Sequence, residues 1–362
     1  MRYNEKNAIC EDDMNKKVTI YDIAREAGVS TATVTRVVSG SAKVKPETRE
    51  RVQRVIDAYA YAPSAAARNL DGGDLKTIAL IIPNLYNPYF GRIYDSAYAE
   101  CRENGFSLFP YQVTENTPIP AELVDEMIRR RFDGALFAGN LWSSERSGLV
   151  HALSRLRHHM PVVAICPPSA KLDCICVHSD LLASSRLPVQ HLHALGHKKI
   201  AFVGSSSSIK DASKRGEYFL EELKRLGLDD DPAFHVDSGN DVEGGRRAVL
   251  RILSSLEKSR WPTALVCFND LVAMGALSQL QEMGLRLPDD MAVIGFDNQF
   301  FCPYLNPPLT SVDTHPEKLA RSAIRELLSA KGDTSVKFSI AEPATLVIRR
   351  SCGSELGYRR FT

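Results

Sequence analysis

The first sixty residues carry apolar positions at the spacing of short helices. Apolar side chains recur every three or four residues in 20–27, so they share one face of a helix about two turns long. Thr19 and Asp22 stand at the spacing of a capping box, and Gly28 supplies the positive φ with which helices commonly end. This pattern predicts a first helix between Thr19 and Gly28.

A second and a third helix follow within the same stretch. Ser30 is placed to cap a helix over 30–39, directly after the glycine turn. Pro46 opens a third helix that runs to about Ala60 with an apolar inner face. Two short helices joined by a glycine-containing turn describe a helix-turn-helix, and the third helix would complete a small core.

Beyond residue 74 the pattern changes to continuous apolar runs separated by segments of helical spacing. Runs of this kind predict buried parallel strands in β-α-β units, and we expect two doubly wound α/β subdomains. The seven runs are 76–83, 106–112, 134–139, 161–166, 199–205, 263–268 and 291–297. Four shorter segments are expected to cross between the subdomains or to finish the sheets: 172–177, 309–312, 336–340 and 344–350.

Charge distribution changes how the N-terminal helices are interpreted. The whole chain has 45 Lys and Arg against 44 Asp and Glu, a formal net charge of only +1. Residues 14–70 alone hold ten Lys and Arg against five Asp and Glu, a net charge of +5. A positive block on a helix-turn-helix is the electrostatic pattern of a DNA-binding module, although a three-helix scaffold with solvated charges remains the alternative.

The second predicted helix presents small side chains and one arginine outward. Short side chains let a helix enter the major groove, and an arginine can bond a guanine with two hydrogen bonds. The candidate base-contacting residues are Thr31, Ala32, Thr35 and Arg36. Candidate phosphate contacts, which would set register without reading sequence, are Tyr21, Thr48, Arg49 and Arg51.

An alanine-rich segment, 61–70, joins the helices to the rest of the chain. A helix of about seven residues between Pro63 and the Gly72-Gly73 pair is too short to be stable alone in water. It is expected to order on a partner, where Leu70 could act as a wedge between base steps of the minor groove. The alternative is a plain linker in which Leu70 has no role.

Polar and aromatic residues follow several of the predicted strands. Ligands of doubly wound folds bind beyond the carboxyl ends of strands, which here means a cleft between subdomains. The strand-end candidates are 87–90, 269–270 and 297–298. Their carboxylates, amides and aromatic faces suit a polyhydroxylated or heterocyclic metabolite. Each also has the alternative of capping the next helix, and we interpret Asp270 as such a cap.

Other chemistry finds little support in the sequence. No apolar run approaches about 18 residues and no signal-peptide core is present, so a cytoplasmic protein without a membrane span is expected. The eight scattered cysteines fit buried free thiols in a reducing compartment. His191, His193 and His197 lack the thiolate or carboxylate that would complete a zinc set. Without a catalytic constellation or a cofactor motif, we expect neither an enzyme nor a cofactor.

The N-terminal residues resemble a known family. VTIYDIAREAGVSTATVTRVVSG from Val18, followed by ETRERV and YAPSAAARNL, is similar to the LacI/GalR family of bacterial repressors, with a helix-turn-helix and hinge of the purine-repressor type. The resemblance extends to about Arg350. It implies that Thr31, Ala32 and Arg36 face bases, and that Ala67 and Leu70 belong to a minor-groove hinge helix.

The same resemblance implies an effector site in a domain like the periplasmic binding proteins. The contacts that it implies are Pro88, Tyr89, Phe90, Lys214, Asn240, Asn269 and Asp297. Some of these positions depart from the family pattern. Lys214 stands where relatives carry an arginine, unless Arg215 substitutes by a shift of one. Cys166 replaces an acidic residue, and Asn240 falls where an aromatic side chain stacks on the effector.

Together these observations predict a ligand-responsive repressor that binds a palindromic operator as a homodimer. No leucine heptad follows Arg350, which favours a dimer over a tetramer. A sugar or sugar derivative is the expected effector, with a purine the other class considered, and a periplasmic-type sugar-binding protein without a regulatory role is the alternative function. The predicted domains are an extension (1–17), the helix-turn-helix (18–63), a hinge (64–74), an effector and dimerisation domain (75–350, with subdomain one at 75–177 and 312–336 and subdomain two at 178–311 and 337–350) and a tail (351–362).

Overall fold

The computed structural model describes most of the chain in two compact units, Met1–Leu75 and Lys76–Thr362. The described residues are 18–38, 43–59, 61, 76–113, 119–139, 149–168, 172–204, 214–330 and 338–354. In the described residues, no helix combines the length and the apolar character needed to cross a bilayer.

In its described residues, the first unit has three short helices around a small apolar core. They are α1 (Ile20–Glu26), α2 (Thr31–Val38) and α3 (Pro46–Ala58). The buried core side chains are Ile23, Ala24, Ala27, Val34, Val37 and Val52. This arrangement confirms the three predicted helices, since each contributes apolar residues from one face.

The caps of the first two helices are those that the sequence predicts. The Thr19 amide donates to Asp22 Oδ2 at 3.0 Å, as a capping box requires. The reciprocal half of the capping box, from the Asp22 amide to the Thr19 side chain, is also present, and the Thr19 hydroxyl donates to Asp22 Oδ2 at 2.6 Å. Ser30 Oγ accepts from the Thr33 amide at 3.2 Å and caps α2, and Gly28 has the predicted positive φ of 60°.

The second unit is built on two six-stranded sheets with helices on their faces. The strands are β1 (Thr77–Ile82), β2 (Ser107–Gln112), β3 (Gly134–Ala138), β4 (Val162–Ile165), β5 (Ile175–Ser179), β6 (Ile200–Val203), β7 (His235–Val236), β8 (Ala264–Cys267), β9 (Ala292–Phe296), β10 (Thr310–Asp313), β11 (Ser339–Glu342) and β12 (Thr345–Val347). The helices are α4 (Pro88–Glu103), α5 (Ala121–Arg129), α6 (Leu149–Arg157), α7 (Leu181–Ala194), α8 (Lys214–Arg225), α9 (Val242–Ser255), α10 (Asp270–Glu282) and α11 (Pro316–Ser329).

The strand order defines two subdomains. The first sheet has the order β11-β5-β4-β3-β1-β2, and the second has the order β12-β10-β9-β8-β6-β7. Their pairs are parallel except for β10 with β12, which is antiparallel. Each sheet separates two layers of buried apolar side chains, because helices cover both faces. The seven predicted runs all form strands, whereas the two-residue β7 was not predicted.

One boundary of the predicted subdomains is wrong. We assigned 337–350 to the second subdomain, yet Ser339–Glu342 pairs in parallel with Ile175–Ser179 in the first sheet. Helix α11 packs against α4 and strands of the first sheet, so the strand that follows it reaches the open edge of β5. The remaining boundaries stay predictions.

Candidate functional site

The outward face of α2 is where the predicted base contacts lie. Ala32 and Arg36 are exposed, whereas Thr31 and Thr35 are half-buried. The Thr35 hydroxyl donates to the Thr31 carbonyl oxygen at 3.0 Å, which turns it back onto its own helix. Arg36 therefore offers the longest reach for base readout on this face.

The predicted phosphate contacts surround that helix on α1 and α3. Tyr21 is 74% exposed, and Thr48 and Arg49 are half-buried near the start of α3. Arg51, one turn further, is exposed. The hinge residues Ala67 and Leu70 lie outside the described residues, so their predicted roles stay predictions.

The second unit contains a partly open cavity of about 500 Å³ at the carboxyl ends of its strands. Both subdomains contribute to its wall, which agrees with the position expected for a ligand in a doubly wound fold. The lining residues relevant below are Asn87, Tyr89, Phe90, Cys166, Lys214, Arg215, Asn240, Phe268, Asn269 and Asp297. Six of the seven predicted effector residues are therefore brought together.

Pro88 is the predicted effector residue that the cavity does not include. It is the first residue of α4, where its fixed φ and missing amide hydrogen suit a helix start. Asn87 caps the same helix by accepting from the Tyr89 amide at 3.0 Å. The cavity wall at this point consists of Asn87, Tyr89 and Phe90, with the two rings edge to face at 5.3 Å.

Arg215 is held between two aromatic rings at the cavity. Its guanidinium lies 4.1 Å from the centre of the Phe296 ring and 4.9 Å from that of Phe268, and it donates to the Phe268 carbonyl oxygen. Burial lowers the pKa of Arg215, which the negative charge of Asp297 opposes. Its Nε has no hydrogen-bond partner among the described residues. Lys214 also lines the cavity, but the flat, oriented cation is Arg215.

Asp297, a buried acidic residue of the cavity wall, lies on a strained turn. Its φ is 94° and that of Asn298 is 47°, so two successive non-glycine residues are left-handed. Such residues cost on the order of 1–3 kcal/mol each and persist only where neighbours hold them. Burial raises the pKa of Asp297 to about 6, while the charges of Arg215 and Arg92 oppose the rise. The carboxylate is thus poised to accept hydrogen bonds from a ligand.

Asn269, and not Asp270, caps the helix that follows β8. Asn269 Oδ1 accepts from the Val272 amide at 2.8 Å and caps α10, and its Nδ2 donates to the Asn240 carbonyl oxygen at 3.1 Å. Asp270, which we interpreted as the cap, turns into the core, because Ser311 Oγ and the Gln299 amide both donate to it at 2.7 Å. The interpretation of Asp270 was wrong, whereas Asn269 combines a cap with a place in the cavity wall.

Another part of the cavity wall includes a buried thiol, that of Cys166. Cys166, Pro167, Pro168 and His178 line the cavity at the ends of β4 and β5. The Cys166 and Cys176 Sγ atoms are 3.9 Å apart, so they are not bonded. In the described part of the chain, the cysteines are buried and free, as predicted.

Arg92 is a residue of the site that sequence reasoning missed. It lies on α4 within reach of the Asp297 turn, and Nη1 donates to the Asp297 carbonyl oxygen at 2.5 Å. Its position on a helix carries no motif, because the contact depends on how two distant strand ends meet. Only the folded structure brings Arg92 to the cavity turn.

Two family models match the chain. A model described as bacterial regulatory proteins, lacI family, matches residues 19–64. A model described as a periplasmic binding protein-like domain matches residues 189–352. These matches confirm the predicted fold class, a helix-turn-helix followed by a two-subdomain α/β domain.

Characterised proteins resemble the chain along nearly its whole length. The HTH-type transcriptional repressor PurR of Haemophilus influenzae (strain PittEE) is 33% identical over 344 residues, which is 93% of this chain and 99% of that protein. The lac repressor dimer bound to operator and the anti-inducer ONPF has a TM-score of 0.82 at 24% identity, covering 93% of this chain and 99% of that one, a likeness of fold. The transcriptional regulator CelR in complex with cellobiose has a TM-score of 0.68 at 25% identity, covering 92% and 99%.

Proposed function

Because the chain belongs to the LacI family of bacterial regulatory proteins, we propose that it is a transcriptional repressor whose affinity for DNA is set by a small metabolite. The observation that carries the proposal is the cavity itself: an oriented cation, Arg215, and a buried acidic residue, Asp297, line one cleft between two subdomains. The same chain carries an exposed recognition helix on a separate unit. Such a repressor acts in the cytoplasm, where bacterial DNA lies.

The DNA-binding end is proposed to act as one half of a symmetric dimer. Two copies of α2 would enter successive major grooves of a palindromic operator. Arg36, with Thr31 and Ala32, would read base edges, Thr35 would lie against the same groove, and Tyr21, Thr48 and Arg49 would contact phosphates. Ala67 and Leu70 would belong to a hinge helix that orders in the minor groove.

The effector is proposed to be a sugar or sugar derivative. Hydroxyl groups in pairs suit the planar guanidinium of Arg215 and the carboxylate of Asp297, which donate and accept respectively. Tyr89 and Phe268 supply aromatic faces for the apolar side of a sugar ring. The relative named CelR was solved with cellobiose, which supports this class of ligand.

Control of DNA binding follows from the two-subdomain design. A ligand that contacts both walls favours one relative placement of the subdomains, and typical couplings of this kind are about 1–3 kcal/mol. The net ordering cost of segments that fold on binding is about 2–5 kcal/mol, so a coupling of this size is enough to influence whether the hinge helices form. The proposal includes no enzymatic step and no cofactor, because binding energy alone accounts for the regulation.

The effector class is tested by a thermal-shift screen of the full chain against sugars, sugar phosphates and purines. A ligand present at about 100 times its Kd stabilises the folded state by about 2.7 kcal/mol. We expect a shift with sugars that Asp297→Asn reduces at the same ligand concentration. A shift that is undiminished by this substitution would place the ligand elsewhere.

The DNA-binding half is tested separately by selecting binding sites from random double-stranded DNA. We expect a palindrome whose affinity changes when the screened sugar is added. Sugar binding without any selected DNA sequence would instead favour the sugar-binding protein that we kept as the alternative.

A further inference from the structure

Arg92 connects the first subdomain to the turn after β9 in the second subdomain, which consists of Asp297 and Asn298 and is named the effector turn. It lies on α4, which belongs to the first subdomain. Its Nη1 donates to the main-chain oxygens of Asp297 at 2.5 Å and of Asn298 at 3.1 Å, which belong to the turn after β9 of the second subdomain. One side chain therefore spans the boundary between the two sheets.

Glu317 fixes the orientation of that guanidinium. Arg92 Nε donates to Glu317 Oε1 at 2.5 Å, and Nη2 donates to Oε2 at 2.9 Å. This two-point pairing holds the guanidinium plane, because a fork of N–H donors matches a carboxylate. Asp313, the last residue of β10 in the second sheet, adds a second negative charge 3.7 Å from Nη2. Glu317 lies in the first turn of α11, so the anchor of Arg92 is in the first subdomain.

The turn that Arg92 holds needs an external support. Asp297 and Asn298 are both left-handed, and their carbonyl oxygens face the guanidinium. Asn298 is also held through its side chain, which donates to Asp313 at 3.0 Å and accepts from Arg349 at 2.7 Å. Asp297 differs from Asn298 in that it lines the cavity, while its carbonyl oxygen accepts from Arg92.

We propose that Arg92 is a positioning residue that sets the place of the Asp297 carboxylate across the subdomain boundary. It makes that place depend on how the two subdomains sit relative to each other. A ligand that draws Asp297 into the cavity must then displace or reinforce the link to α4, which is how occupancy reaches the first subdomain. The link to ligand binding rests on the proposed function, whereas the positioning of the turn does not.

The simpler reading is that Arg92 only ties α4 to α11, and the chain offers a matched control for it. Arg321 on α11 donates to Glu100 on α4 at 3.0 Å, so it joins the same two helices. Glu100 keeps a second partner, Arg325, at 2.9 Å. Arg321→Gln therefore removes an ion pair between these helices without touching the second subdomain. Arg92→Gln removes an ion pair between the same helices and also the hydrogen bonds to the second subdomain.

The first measurement is hydrogen exchange of the full chain without ligand. The amides of Asp297, Asn298 and Gln299 are protected by bonds to Val312 O, Ser311 Oγ and Asp270 Oδ2. We expect Arg92→Gln to speed their exchange about tenfold, the factor that corresponds to about 1.4 kcal/mol, and Arg321→Gln to leave it unchanged. Equal exchange in the two variants would overturn the proposal.

The second measurement is the distance between the subdomains by electron spin resonance. Spin labels on non-natural residues at Glu122 and Glu221, both exposed, report on the first and second subdomains. Arg92→Gln should broaden the distance distribution, and Arg321→Gln should not. A distribution unchanged by Arg92→Gln would show that the link does not set the arrangement and would overturn the proposal.

A third variant keeps the test decisive if Arg92→Gln does not fold. Arg92→Lys retains the charge but has one donor group, so it cannot hold Glu317 by two points and both carbonyl oxygens together. We expect it to speed exchange of the same amides partly, and wild-type exchange in this variant would count against the proposal. Neither measurement uses a ligand, so a failed metabolite screen would affect the proposed function and leave this result standing.

Discussion

The Asp270 carboxylate accepts a 2.7 Å hydrogen bond from Ser311 Oγ and so joins the start of α10 to β10. Gly295 on β9 makes the contact possible, because a Cβ at that position would lie 2.1 Å from Asp270 Oδ1. The other oxygen accepts from the Gln299 amide, just beyond the Asp297 turn. The fully buried Asp270 carboxyl group thus supports the effector turn through the Gln299 amide, while Arg92 holds the carbonyl oxygens of the turn.

This burial predicts a stability that falls as pH rises from about 4 to about 7. The pKa of Asp270 is raised to about 7 and that of Asp297 to about 6, and burial is the largest cause in both cases. The folded state therefore retains protons that the unfolded state has already released, and the stabilisation is complete below the ordinary carboxyl pKa and lost as pH passes the folded values. Thermal unfolding measured between pH 4 and pH 8 should show the fall as a lower Tm at the higher pH.

The control for this effect is Asp297→Asn, which removes one of the two titrations. Asparagine tolerates the left-handed φ of this position, so the turn keeps its shape. We expect the Tm of the variant to depend less on pH over the same range. An identical slope in the two proteins would assign the pH dependence to other groups.

Asp297→Asn should also weaken effector binding while leaving operator binding intact. A hydrogen bond to a charged group contributes about 1.5–3 kcal/mol, so the affinity should fall roughly ten- to a hundredfold. Calorimetry with the metabolite found in the screen measures the loss. Asp289→Ala, an exposed carboxylate of the same subdomain, is the control and should bind normally.

Arg36→Ala should relax the choice of base at one operator position. A two-point arginine–guanine contact discriminates by about 1–3 kcal/mol, and alanine removes it without disturbing the buried side of α2. Sequencing of sites selected from random DNA reports the preference at each position. Arg54→Ala, exposed on α3, is the control, and an unchanged preference profile for Arg36→Ala would argue against base readout.

Ile23→Ala should unfold the helix-turn-helix unit without affecting the cavity. Ile23 is completely buried in a core of six small or medium side chains. Loss of its side chain costs about 2–5 kcal/mol, which is a large share of the stability of so small a domain. DNA binding should be lost while metabolite binding persists, and Tyr59→Ala, half exposed, should retain both.

Much of the fold could be predicted from the sequence because its signals are local. Ser30, Gly28 and Pro46 each act within one helical turn, and all three occupy the predicted helix starts and stops. Continuous β-branched runs likewise identify buried strands without reference to distant residues. The pairing of β11 with β5 was beyond such reasoning, since it depends on where α11 delivers the chain.

The candidate site divides in the same way. Asn269 and Asp297 follow strands directly, so their place in the cavity wall could be expected from strand ends alone. Asp270 differs from Asn269 by one position, and whether it caps the helix or enters the core depends on the space left by Gly295. Arg92 and Arg215 gain their roles from partners far along the chain, which no local pattern records.

The chain passes between the two sheets of the second unit three times, after β5, after β10 and after β11. Neither lobe is a continuous stretch of sequence, so no single cut or truncation can release one of them intact. Because the lobes are joined by three connections, we expect their relative motion to be restricted to opening, closing and twisting about the edge where the connections lie. A substitution in any one of these connections should therefore alter the relative motion of the two lobes while leaving each lobe well folded.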